Sequence, residues 1–116
     1  MKELSLPHLS PIRFAQNIIF LEDTKARVSL SFDELPSLGM MIEASAQASA
    51  AFSDGSAKGG FLVSLKDVKL LSKAKSMSLE VSLSKEADLG SMSSFSFVVY
   101  EATKELVNGS FVIAKS

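Results

Sequence analysis

The chain has 116 residues, of which 47% are hydrophobic and 22% charged, with a formal net charge of −1 and no cysteine. That length holds one domain, residues 1–116, around one core. The near-neutral balance gives no drive towards nucleic acid or an anionic membrane, and the lack of cysteine excludes disulfides, thiolate metal sites and a cysteine nucleophile, as suits a reducing cytoplasm.

Met1 to Pro11 is broken by Pro7 and Pro11 and has no apolar run of signal-peptide length. Phe14 to Glu22 is rich in β-branched and aromatic residues and reads as a strand, with Asp23-Thr24 as the turn into its hairpin partner. From Lys25 the pattern is strict: Ala26, Val28, Leu30 and Phe32 alternate with Arg27, Ser29 and Ser31, a half-buried strand. Leu35 to Phe52 is weakly charged but carries Glu43, Gln47 and three serines, so it reads as a helix buried in protein and not in lipid. Pro36 is placed in its first turn with Ser37 as the nearby cap, and Asp54-Gly55 and Gly59-Gly60 end it. Four strands are predicted after the helix. They are Phe61 to Leu71, the alternation Met77, Leu79, Val81, Leu83, the alternation Phe95, Phe97, Val99, and Leu106 to Ala114. Gly90-Ser91 and Ala102-Thr103-Lys104 supply turns between them.

Two strands, one helix and four strands with one wet face argue for an α+β domain in which an antiparallel sheet wraps one long central helix. The helix is suited to that place, because Ala44, Ala46, Ala48, Ala50 and Ala51 let a curved sheet approach closely. Met40 and Met41 read as core filler.

Glu43 is the one charged residue between Pro36 and Phe52. At about 100° per residue it shares a face with Gly39, Ala46, Gln47 and Ala50. A carboxylate among small and apolar groups either finds donors or has its pKa raised, and a raised pKa suits a general acid or base. The alternative is a polar stripe that meets solvent or another subunit. No Walker loop, dinucleotide fingerprint or zinc spacing is present, so no cofactor and no metal is expected.

The segment GMMIEASAQASAAF, Gly39 to Phe52, resembles the central helix of the 3-hydroxyacyl-carrier-protein dehydratases. LPHLSPIRF, Leu6 to Phe14, is similar to the opening motif of that family, GFLVSLKDVKL to the strand after its helix, and YEATKELVNGSFVIA to its closing hairpin. The short loop before the helix resembles the dehydratase-like branch of aryl-polyene-type gene clusters. The resemblance implies a hotdog fold, a homodimer with sites at the subunit interface, and an acyl-carrier-protein or acyl-coenzyme A thioester as substrate. It implies that Glu43 is the catalytic carboxylate and that Gln47, the family's helix glutamine, is mainly structural and a helper at most. It also implies a backbone oxyanion donor near Gly39, with Gly39 and Met40 against the substrate. A helix N-terminus suits that role, since its N–H groups lack intrahelical partners.

The family's catalytic histidine lies in a loop ahead of the helix, and Ser29 to Leu38 contains none. The one histidine of the chain is His8, in the opening motif. Dehydration needs a base for the α-proton and an acid for the leaving hydroxyl, so Glu43 performs both roles or borrows His8, Asp33 or Glu34. Three readings follow: dehydratase-like chemistry, thioester hydrolysis by a single carboxylate, and a noncatalytic acyl-binding hotdog. Glu43 is expected to be mostly buried at the dimer interface beside an apolar tunnel. Lys66, Lys69, Lys73 and Lys75, with Asp67 as the one acid among them, are expected to form a basic rim for an acidic carrier or a phosphate.

Overall fold

The computed structural model describes residues 2–3, 13–52 and 60–115, of which 2, 3, 60, 61 and 115 are described by backbone alone. The strands are β1 (Lys2–Glu3), β2 (Ala15–Leu21), β3 (Lys25–Ser31), β4 (Gly60–Leu70), β5 (Ser78–Asp88), β6 (Met92–Glu101) and β7 (Lys104–Lys115). The helix α1 runs Leu38–Ala48 and continues as a 3₁₀ turn over Ser49–Phe52. The strands make one antiparallel sheet in the order β1, β2, β3, β5, β6, β7, β4. The helix packs chiefly on β2, β5, β6 and β7. An antiparallel sheet curled about one helix is the hotdog fold that the sequence resemblance implies.

Alternation decides which side chains meet the helix, because successive residues of a strand point to opposite faces. Ala26, Val28 and Leu30 of β3, Leu79, Val81 and Leu83 of β5, and Phe95, Phe97 and Val99 of β6 are all buried. The residues between them, half of them serines, form the convex outer face. Phe95 and Phe97 stack against Phe111 at 5.4 and 5.5 Å, and Phe52 reaches Phe95 at 5.5 Å from the end of the helix. These rings bury much of the apolar area that holds the sheet on the helix.

The element boundaries follow the sequence signals with two differences. Ser37 is the N-cap, extended at φ −76° and ψ 170°, and its Oγ accepts from the Met40 N–H at 3.2 Å. Pro36 therefore precedes the cap and does not occupy the first turn. The two-residue strand β1, paired to Asn17 and Ile18 of β2, has no sequence signature, since two residues carry no period. The helix stop expected at Asp54-Gly55 lies outside the described residues.

Edge strand β4 carries two irregularities. Its register against β7 shifts between Leu62 and Ser64, and again between Lys66 and Lys69, where Asp67 adopts a left-handed φ of 53°. The second shift depends on Gly109: a Cβ there would stand 2.8 Å from Val68 Cγ2 and 2.9 Å from Val68 Cα. Without a side chain at Gly109, Val68 lies flat across β7 and the extra residue of the bulge fits.

Candidate functional site

The helix presents two unlike faces. Met41, Ala44, Ser45 and Ala48 are buried against the sheet. Glu43 is two residues on from Met41, about 200° round the helix, and is exposed on the single chain. No hydrogen bond or ion pair reaches its carboxylate among the described residues. The described residues thus do not bury Glu43, and the burial expected at a dimer interface is not seen on the single chain.

Gly39 stands one turn before Glu43 and is also exposed. Ser37 takes two of the N–H groups of the first turn: Oγ accepts from Met40 and the carbonyl accepts from Met41 at 3.0 Å. The Gly39 N–H has no acceptor among the described residues. It therefore remains open at the positive end of the helix, where a developing oxyanion is stabilised. Met40, the other substrate-contact candidate, is half-buried and packs against the core.

Gln47, one turn after Glu43, turns inwards and is buried. Its Oε1 accepts from the Phe14 N–H at 2.8 Å and the Ala15 N–H at 3.2 Å. This ties the start of β2 to the helix and satisfies two backbone donors, in keeping with the mainly structural role implied by the resemblance. Phe14 also stacks on Phe32 at 5.0 Å, so the entry to β2 and the exit of β3 are clamped together just ahead of the helix.

Asp33 and Glu34 are exposed in the loop between β3 and α1. His8 lies outside the described residues. Lys66, Lys69, Lys73 and Lys75 are all exposed. Lys66 pairs in register with Ser110, and Lys69 with Asn108, which places both on the convex face of β4. The Lys75 backbone N–H donates to Glu101 Oε1 at 2.6 Å, fixing the segment after β4 to the β6–β7 turn. Glu43 thus stands on the opposite face of the layer from Lys66 and Lys69, while Lys73 and Lys75 follow just beyond the end of β4.

The convex face also holds a groove of about 340 Å3 that sequence reasoning missed, lined in part by Asn17, Ser29, Ser31, Ser78 and Glu80. It opens where β2 slips against β3 and the Ser29 Oγ replaces a ladder bond, accepting from the Asn17 N–H at 3.0 Å. Glu43 takes no part in it. Among the described residues no group of three His, Cys, Asp or Glu side chains is arranged to hold a metal, and no helix is long and apolar enough to cross a membrane.

No family model matches the chain, and no curated protein sequence matches it. Solved structures do. The dehydratase heterocomplex ApeI:P from Xenorhabdus doucetiae superposes with a TM-score of 0.80 at 18% identity, over 96% of this chain and 88% of that one. A Streptococcus mutans protein bound to acetyl CoA matches with a TM-score of 0.69 at 15% identity, over 94% and 96% of the two chains. A thioesterase from Staphylococcus aureus, solved as a glutamine mutant, matches with a TM-score of 0.66 at 13% identity, over 86% and 92%. These neighbours are hotdog-fold proteins, and the chain has the hotdog fold.

Proposed function

We propose that this chain handles acyl thioesters in the manner of a dehydratase, with Glu43 as its proton-transfer group and the Gly39 N–H as its oxyanion donor. The observation that carries the reading is the pair itself. A carboxylate and a helix-terminal N–H stand one turn apart on the outer face of the helix, both without a partner among the described residues, while Gln47, one turn further on, is engaged in structure. The N–H polarises the thioester carbonyl, which acidifies the α-carbon, and the carboxylate takes the α-proton and returns it to the β-hydroxyl, which leaves as water as the double bond forms. The thioester arrives on an acyl carrier protein or coenzyme A. Likeness in fold to a dehydratase complex and to an acetyl CoA-bound protein supports this substrate class.

Hydrolysis is a second reading, favoured by a specific observation: Glu43 has no second titratable group bonded to it among the described residues. One carboxylate and one oxyanion donor suffice to activate water on a thioester. A panel of 3-hydroxyacyl, enoyl and saturated acyl thioesters separates the two. Interconversion of the 3-hydroxyacyl and enoyl forms is expected. Release of free thiol from the saturated thioester without that interconversion would replace dehydration by hydrolysis, and turnover of none of the three would remove both.

A further inference from the structure

The thioester site leaves the convex groove of about 340 Å3 unused. The floor of the groove is two rungs of the ladder between β3 and β5. Ser29 stands opposite Glu80 and Ser31 opposite Ser78, on the outward-pointing positions of both strands. One wall is the β2 bulge, where Gln16 and Asn17 together face Ser29. The Ser29 Oγ holds that bulge, accepting from the Asn17 N–H at 3.0 Å and donating to the Asn17 carbonyl at 3.3 Å. The opposite wall is Ala102, in the turn between β6 and β7.

The other polar groups of the groove are open. The Asn17 side-chain amide and the Ser31 and Ser78 hydroxyls make no hydrogen bond among the described residues. The Glu80 carboxylate meets Arg27 Nε at 3.7 Å, beyond hydrogen-bond length. Arg27 lies over the Tyr100 ring at 5.7 Å and does not line the groove, so Glu80 is the one charge in the lining. An apolar ligand would strip water from these groups and return no hydrogen bonds. An anion would meet the carboxylate and no cation in the lining. A bare ammonium would satisfy Glu80 but leave the Asn17 amide donors unmet. A hydroxyl both donates and accepts, so a ligand that carries several satisfies the carboxylate, the amide and the serines together. The volume lies at the lower end of the range for small-molecule sites, about 300–1,000 Å3, which suits one ring and not a chain. We infer that the groove binds a small neutral polyol, a single ring bearing adjacent hydroxyls. Glu80 and the Asn17 Oδ1 accept from the ring, and the Asn17 Nδ2 and the Ser31 and Ser78 hydroxyls donate to it.

Amide NMR spectra of the full chain, titrated with glucose and with myo-inositol, test this. Saturable shifts are expected at the amides of Asn17, Ser29, Ser31, Ser78 and Glu80, with half-saturation at millimolar polyol. Butylamine and inorganic phosphate, as comparison probes, are expected to give no saturable shift there. The double variant Ser31→Ala, Ser78→Ala loses two exposed hydroxyls and no structural bond, so its spectrum without ligand should stay folded while polyol binding weakens about tenfold or more. Glu43→Gln should bind the polyol as the unaltered chain does, because the groove is built without it. The inference is overturned if neither polyol gives saturable shifts at these amides, or if butylamine saturates them in place of the polyols. It is equally overturned if the folded double variant binds as tightly as the unaltered chain, or if Glu43→Gln abolishes binding. None of these readouts uses turnover, so the outcome is independent of the proposed function.

Discussion

Glu43 and Gln47 lie one helical turn apart, and the fold treats them in opposite ways. Gln47 is buried, and its Oε1 accepts from two backbone N–H groups of the β2 entry. Glu43 is exposed and bonded to nothing among the described residues. Both are polar residues in a helix otherwise built of leucine, glycine, methionine, isoleucine, alanine and serine. The first is explained by the chain it belongs to, because without it two N–H groups lack an acceptor. The second has no partner among the described residues, which leaves its carboxylate open for the proton transfer proposed for it.

The largest effect is expected at Gln47. Replacement by alanine leaves the Phe14 and Ala15 N–H groups unpaired and opens a small void, at a cost of about 2–4 kcal/mol in urea unfolding. A loss within about 0.5 kcal/mol, as for an ordinary surface substitution, would show that the clamp on β2 is not structural. Ser37→Ala is next. It removes the Oγ acceptor for Met40 and is expected to cost about 1 kcal/mol by the same measurement. It also frays the turn that presents the Gly39 N–H, so turnover should fall further than stability alone explains. Turnover unchanged in a destabilised Ser37→Ala protein would detach Gly39 from the reaction. The smallest effect is at the sheet edge. Charge reversal at Lys69 and Lys73 is expected to weaken binding of an acidic carrier protein a few-fold at low salt, with the difference fading as salt rises, because exposed charges are screened beyond about 8–10 Å. Equal binding at low salt would leave the lysines as solvated edge residues that deter aggregation.

Much of the fold was legible because its elements carry strong periods. The alternation in β3, β5 and β6 marked the buried face residue by residue, and Ser37 was readable as a cap. The edge was less legible. Nothing in GFLVSLKDVKL announces that Asp67 takes a left-handed φ, because the space for the bulge comes from Gly109 on another strand. That Gln47 bonds to Phe14 and Ala15 across more than thirty residues was likewise hidden, although the resemblance implied a structural role. Glu43 stood out in the sequence as a lone charge. Its exposure on the single chain did not, since a helical period tells which residues share a face but not whether a neighbouring chain covers that face.

If Glu43 serves chemistry and not folding, the urea unfolding curve and the turnover of a 3-hydroxyacyl thioester respond differently in one preparation of Glu43→Gln. The substitution keeps shape and removes the proton-transfer group, so unfolding is expected to change by less than about 0.5 kcal/mol while turnover falls about 100-fold or more. Full turnover by the glutamine variant, at unchanged stability, would contradict the account.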